Sequence, residues 1–314
     1  MNIRTKYKVA LATSLVAMLS FTACDDDNDL SDQSIITAKT DTQTTQFDEW
    51  LRVNYIDTYN IDFKYRYADV ESDMDYYTVP APYDESVIMA HLLKYLCLEA
   101  YDEVAGIEFT RTYFPKMIFL IGEFEYRNNG SMILGTAEGG KKILLTGLNY
   151  LSANLDNIDI LNEWYFKTIH HEFTHILNQT KEFSTEFKLI SGADYVGDLC
   201  FDQPYGSIYL SRGFITDYSQ TEATEDFAEM LSTYVCNSPE QWDAWFNEID
   251  KLEYIDEEAK KAAKSKLSQK LAIVRSYMKE SWDIDIDELR ASINLRQKNV
   301  TEGKIKLTDL TINN

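Results

Sequence analysis

Apolar residues dominate a run from Val9 to Phe21, interrupted only by Thr13, Ser14 and Ser20, and then almost vanish from residue 25 to 45, where Asp, Ser, Gln and Thr dominate. From there on, large apolar side chains recur with period. Phe47, Trp50, Leu51 and Tyr55 have helical spacing, Ile61 to Tyr67 alternates like a strand, and Ser86 to about Val104 reads as a second helix. Met117 to Ile121 is a short apolar strand candidate. It is followed by a turn signal at Asn128-Asn129-Gly130, a short strand at Met132 to Leu134, and, after Gly139-Gly140, a strand from Lys141 to Thr146. That last segment is a candidate edge for pairing with an extended peptide; an internal hairpin strand is the competing reading.

In Ile160 to Leu177, Leu161, Tyr165, Ile169, Phe173 and Ile176 form one apolar stripe. Phe183 to Ser219 is loop rich, with Gly192, Gly197, Pro204, Gly206 and Gly213. Thr221 to about Lys298 is almost continuously helical, with breaks at Asn237-Ser238-Pro239, Tyr254 to Asp256 and Ser281 to Asp283. No internal repeat is present. The pattern predicts an α+β fold in which a small mixed sheet gives way to a mostly α-helical C-terminal lobe. One domain over residues 46–305 is expected, its α/β lobe ending at about 180.

The N-terminal run changes the picture of where the chain resides. Arg4, Lys6 and Lys8 precede a mainly apolar run of about 13 residues, giving roughly 20 Å of helix against a hydrocarbon core of roughly 30 Å. Residues 1–23 therefore read as a secretory signal rather than a span. Thr22-Ala23-Cys24 resembles a bacterial lipobox, which makes Cys24 the lipid anchor, and Asp25-Asp26-Asp27-Asn28-Asp29 resembles the surface-export tract of Bacteroidetes lipoproteins. Residues 24–45 are then a flexible acidic tether, too poor in apolar groups to repay ordering. The expected location is the outer membrane, lipid-anchored and facing the cell exterior.

The formal net charge of -22 excludes nucleic acid as a partner, and loss of the three cations of the signal makes it more negative still. Beyond Cys24 only Cys97, Cys200 and Cys236 remain, odd in number and scattered, so neither a disulfide framework nor a Cys-rich zinc site is implied. Cys97 and Cys236 sit in apolar helical stretches and are expected in the core.

The chemistry is concentrated at His171-Glu172-Phe173-Thr174-His175, which holds two of the four histidines. Residues four apart stack on one helix face, so both imidazoles can reach one metal ion, with Glu172 beside it as general base for a zinc-activated water. His171 lies about 200° around the helix from Ile169, so the pair faces away from the apolar stripe. His170 falls off that face and is expected to pack.

Catalytic zinc takes three protein ligands, and the positions of an extended histidine pattern are Asn178 and Lys181 here. A carboxylate is the natural third ligand. Glu222, Glu225, Asp226 and Glu229 supply four within two helical turns with no Lys or Arg among them. Like charges at this spacing repel, and a bound cation would offset that. Ser219 and Glu222 have the spacing of a capping box, which accounts for Glu222 at the helix start. Asp226 is the main rival to Glu225.

Glu225-Asp226-Phe227-Ala228-Glu229 resembles the E-x-F-A-E segment of gluzincins related to the lethal-factor-type toxin protease domain. The likeness implies that Glu225 binds zinc, that Glu229 lies behind it and orients a histidine, and that Tyr218, seven residues before the ligand, assists the oxyanion. With the lipobox and the histidine motif, the chain resembles the zinc-binding metallopeptidase lipoproteins of the Bacteroidetes. This implies a zincin-like fold, Zn2+ held by His171, His175 and Glu225, a peptide or protein substrate, and the company of an outer-membrane uptake system. The alternative reading is a non-catalytic surface lipoprotein that captures peptides or glycans for such a system.

Overall fold

The computed structural model describes residues 44–312 apart from 69–70, 72–75, 77, 127–131, 134 and 139–141. The signal segment, Cys24 and most of the tether, like the Asn128-Asn129-Gly130 turn, lie outside the described residues. Residues 45–314 form one compact unit. It opens at Thr45, whose hydroxyl accepts from the Asp48 amide while the Asp48 carboxylate accepts from the Thr45 amide. That reciprocal cap starts α1 (Gln46–Leu51), which widens through Arg52–Asp57 and buries Phe47, Trp50 and Tyr55 as their spacing predicts. The strand expected from Ile61 to Tyr67 is confined to β1 (Asp62–Lys64).

The second helix is α2 (Tyr83–Leu93), which passes through a wider turn at Lys94–Leu98 into α3 (Glu99–Ala105). α4 (Ile107–Tyr113) follows after Gly106. The strands are β2 (Met117–Leu120), β3 (Glu125–Tyr126), β4 (Met132–Ile133), β5 (Gly135–Glu138) and β6 (Lys142–Leu145).

β1, β2 and β6 run parallel, and β5 pairs antiparallel with β6, giving the order β1-β2-β6-β5; β3 and β4 form a separate ribbon. The Lys141 to Thr146 segment is therefore no edge strand: its described part, Lys142–Leu145, is β6, which lies inside the sheet between β2 and β5. Its near-continuous apolar run is what a strand covered on both faces requires. Ile118, Leu120, Ile143 and Leu145 join the main core, while Phe119, Ile121 and Leu144 form a small second core on the opposite face. The edge strands are β1 and β5, and β5 lies against the helix carrying the histidine motif.

Gly147, just after β6, has φ +75°, and a Cβ there would run into the Phe124 ring. Its carbonyl accepts from the Tyr165 hydroxyl at 2.9 Å, tying the end of the sheet to the motif helix. Gly147→Ala combines a left-handed backbone with overpacking, so a loss of about 3 kcal/mol is expected in urea denaturation.

The motif helix begins as α5 (Ile158–Leu161), widens at Asn162–Phe166 and continues as α6 (Lys167–Thr180). Leu161, Tyr165, Ile169 and Phe173 are four apart, a spacing that drifts around an ideal helix. The wider turn absorbs the drift, and all four are fully buried. The loop-rich region contains α7 (Thr185–Ile190), α8 (Tyr205–Ile208) and several single turns of tighter helix, at Gly197–Phe201, Tyr209–Arg212 and Tyr218–Gln220.

Four long helices complete the fold: α9 (Ala223–Cys236), α10 (Pro239–Lys251), α11 (Glu257–Trp282) and α12 (Ile286–Thr301). Their boundaries fall at the predicted breaks. Ser238 with Gln241, Asp256 and Asp285 cap the three later ones, and Asp283 in left-handed conformation ends α11. The architecture is a small mixed sheet with a mainly helical remainder. Cys97 and Cys236 are buried in its core, and Cys200 is buried as a free thiol.

Candidate metal centre

α6 turns Ile169, Phe173 and Leu177 into the core and lays its other side along α9. His171 and His175 lie on that second side, and Glu225 and Glu229, one turn apart on α9, meet them. His171 Nε2 lies 2.9 Å from Glu225 Oε2 and 3.0 Å from His175 Nε2, which is itself 3.2 Å from the same carboxylate oxygen. Among the described residues, His171, His175 and Glu225 are the group of three whose donor atoms converge closely enough to hold one metal ion.

The arrangement fits a cation. His171 Nδ1 donates to Glu229 Oε1 at 2.8 Å, which in the neutral ring leaves Nε2 as a lone pair. Two imidazole nitrogens and a carboxylate oxygen then point electron-rich atoms at a common centre. Donors on a tetrahedral zinc with bonds of 2.0–2.1 Å stand roughly 3.3 Å apart, close to the spacing found. Nitrogen and oxygen donors, with no thiolate, suit zinc well.

Electrostatics point the same way. Burial opposes a charged His171, but Glu225 and Glu229 outweigh it and raise its pKa to about 9. Burial likewise opposes charge on Glu225, yet the two histidines bring it down to about 2. Glu229 is buried, and the Lys167 ammonium and His171 overcome that burial to hold its carboxyl far below the ordinary range. Lys167 Nζ lies 2.8 Å from Glu229 Oε2, and the Thr216 hydroxyl donates to the same oxygen at 2.6 Å. Glu229 is thus clamped from two sides while it orients His171.

Asp226, the rival ligand, points the other way. It is fully buried against Lys270 at 2.7 Å and accepts from the Tyr195 hydroxyl at 2.9 Å. Its neighbours on α9 face α6, and one residue of helical rotation is enough to send it to α11. Lys270 also donates to the Gly213 carbonyl and sits 3.9 Å from the Phe214 ring centroid. Burial pushes Asp226 up to about 6 and Lys270 down, against their mutual attraction. Lys270→Met strands a buried carboxylate and is expected to cost about 3–5 kcal/mol in denaturant unfolding, most of it recovered in Lys270→Met/Asp226→Leu.

The capping box is also corrected. Glu222 occupies the N-cap of α9 but its side chain makes no capping bond. Ser219 is drawn into the preceding turn, where its amide donates to the Thr216 hydroxyl. His170 packs as expected: it is buried beside the Tyr101 hydroxyl at 3.1 Å, and burial lowers it to about 4, so it is neutral.

Glu172 is half-buried and shares a cavity of about 440 Å³ with His175 and Glu225. The Tyr218 ring stands 5.9 Å from that of His171. Burial, then the charges of Glu225 and Glu172, raise its phenol well above the ordinary value, so the hydroxyl keeps its proton. The structure therefore brings Glu172, His171, His175, Tyr218, Glu225 and Glu229 together and sends Asp226 elsewhere. Sequence reasoning missed Lys167 and Thr216. Lys167 was within reach, because it stands one turn before His171 on the same face.

Comparison with known proteins places this geometry in a lineage. Residues 39–287 match the family described as "Putative zinc-binding metallo-peptidase". A crystal structure from Bacteroides caccae ATCC 43185 that bears the same description, at 2.10 Å resolution, superposes with a TM-score of 0.70 at 36% identity. The match covers 85% of this chain and 96% of that one. No match is found among curated proteins. The family match runs through the sheet, both histidines and the α9 carboxylates, and the chain belongs to this zinc-binding metallo-peptidase family.

Proposed function

We propose that the protein is a gluzincin-type zinc peptidase in which His171, His175 and Glu225 hold the metal and Glu172 is the general base. The observation that carries this reading is the convergence of three donor atoms at 2.9–3.2 Å beside a cavity that also contains Glu172. Zinc, when bound, supplies Lewis-acid polarisation of the scissile carbonyl and acidifies a water. The Glu172 carboxylate takes a proton from the attacking water and passes it to the nitrogen of the departing amine. Tyr218 keeps its proton in this setting and donates a hydrogen bond to the oxyanion. Glu229, clamped by Lys167 and Thr216, keeps the His171 ring in place.

The placement of the enzyme is part of the proposal. Residues 1–23 are removed as a signal, Cys24 carries the lipid, and residues 24–45 tether a peptidase domain over 46–305 to the outer membrane, facing outward and beside an uptake system. What supports this is the lipobox and acidic tract in the sequence; no helix among the described residues is long and apolar enough to cross a membrane.

Native mass spectrometry together with digestion of unstructured proteins tests the catalytic reading. One zinc per chain and new peptide termini are expected. A folded protein that binds no zinc and cleaves nothing would leave the capture function as the better account.

A further inference from the structure

The cavity beside Glu172 is lined by His175 and Asn178 on α6, by Glu182 and Phe183 just beyond its end, and by Glu222 at the start of α9. Glu172 and Glu225 belong to the metal centre, which leaves Glu182 and Glu222, opposed by Lys188, to set the charge of the rest of the lining. Both are exposed, and neither has an ion-pair partner among the described residues. Among the described residues lining the cavity, Lys188 is the one lysine or arginine, and its ammonium lies 5.6 Å from the Phe183 ring centroid.

A second observation points into the same space. Asn178 is only 9% exposed, and among the described residues neither its amide nitrogen nor its amide oxygen has a hydrogen-bond partner. A buried amide left with both atoms unpaired is costly, and a partner from water or a bound group would relieve that cost.

We propose that this cavity receives a lysine or arginine side chain of the substrate next to the cleaved bond, with Glu182 and Glu222 as specificity-determining carboxylates. The inference rests on the peptidase reading. The Asn178 amide is closed off just beneath the cavity surface, where a turn of its side chain would bring it to the bound cation or to a peptide carbonyl. Phe183, held by stacking on Phe227 at 4.3 Å on one face and lying under the Lys188 ammonium, offers an apolar edge for the methylene stem. An acidic substrate side chain would meet two like charges, and an apolar one would strip water from them. The chain's net charge of -22 also concentrates cationic peptides around the cleft.

Binding is measured by calorimetry on the zinc-loaded Glu172→Gln protein, with peptides identical except for one central Arg, Gln or Glu. The Arg peptide is expected to bind about tenfold tighter than the Gln peptide, two exposed carboxylates being worth roughly threefold each. Glu182→Gln/Glu222→Gln should reduce that ratio to about two, and Lys188→Glu should raise it. Zinc content and circular dichroism check that each variant is intact. Equal binding of the three peptides, no binding, or a ratio untouched in the double variant overturns the inference. Cleavage by the wild type without preference for basic residues overturns it too and leaves the peptidase reading standing. Selective Arg binding in a protein that cleaves nothing removes the peptidase reading and leaves the cavity's preference.

Discussion

Glu172→Gln is expected to lower kcat/KM by about 10³ to 10⁴ while the protein keeps one zinc and its stability. Gln preserves the shape of the side chain but cannot take a proton from water, and general-base contributions of roughly 10² to 10⁴ are usual. The upper half of that range applies because the same carboxyl also returns the proton to the leaving amine. A loss of about 10³ to 10⁴ corresponds to roughly 4 to 5.5 kcal/mol of transition-state stabilisation. Since Glu172 stands outside the His171, His175 and Glu225 triangle, the metal should stay. Steady-state kinetics on a cleaved peptide, with zinc counted by mass spectrometry on the same sample, give the answer. A variant with near wild-type turnover and full zinc would remove Glu172 from the mechanism. A variant that loses zinc along with activity would recast it as a group that shapes the metal centre.

Much of this fold is written locally, and the exceptions are tertiary. The breaks between α9, α10, α11 and α12 were legible because Asn237-Ser238-Pro239 and Asp283 act through their own backbone and caps. The histidine pair was legible for the same reason: four residues of helix fix its geometry. Glu225 lies 50 residues beyond His175 and could be singled out only through the crowding of carboxylates and a family likeness. Spacing could not separate it from Asp226, because Lys270 claims Asp226 from a helix more than 40 residues away. The short strands carried no sign of whether Lys142–Leu145 was central or at the edge, since four apolar residues suit a strand buried on both faces as well as the start of a hairpin. Ser219 and Glu222 had the spacing of a cap, but Thr216 holds Ser219 in the turn before α9. Local rules failed wherever a distant partner offered a stronger bond.

The metal should also be bound in competition with a proton, and the sign of that competition follows from His171. Its pKa is raised from 6.5 to about 9 by Glu225 and Glu229 against the cost of burial. In protein stripped of metal, that raised value stabilises the fold fully below about pH 6.5 and the contribution is lost as pH rises through about 9. Glu225, lowered to about 2, acts in the opposite sense: its contribution is present above 4.5 and lost as pH falls through about 2. Metal-stripped protein should thus lose up to about 3 kcal/mol between pH 6.5 and 9, and zinc-loaded protein should not, because the ion takes the place of the proton on Nε2. Zinc affinity should climb about tenfold per pH unit over the same interval, since ligands bind the metal only after losing their protons. His175→Ala and Glu225→Ala should each lose tight zinc binding, and Asp226→Asn should keep it, because Asp226 faces Lys270 rather than the histidines. Competition titrations with a zinc-binding dye at several pH values, set beside urea denaturation with and without zinc, test all of these. Full affinity in Glu225→Ala with loss in Asp226→Asn would reverse the ligand assignment. A zinc affinity that does not change between pH 6.5 and 9 would mean that His171 carries no proton for the metal to displace.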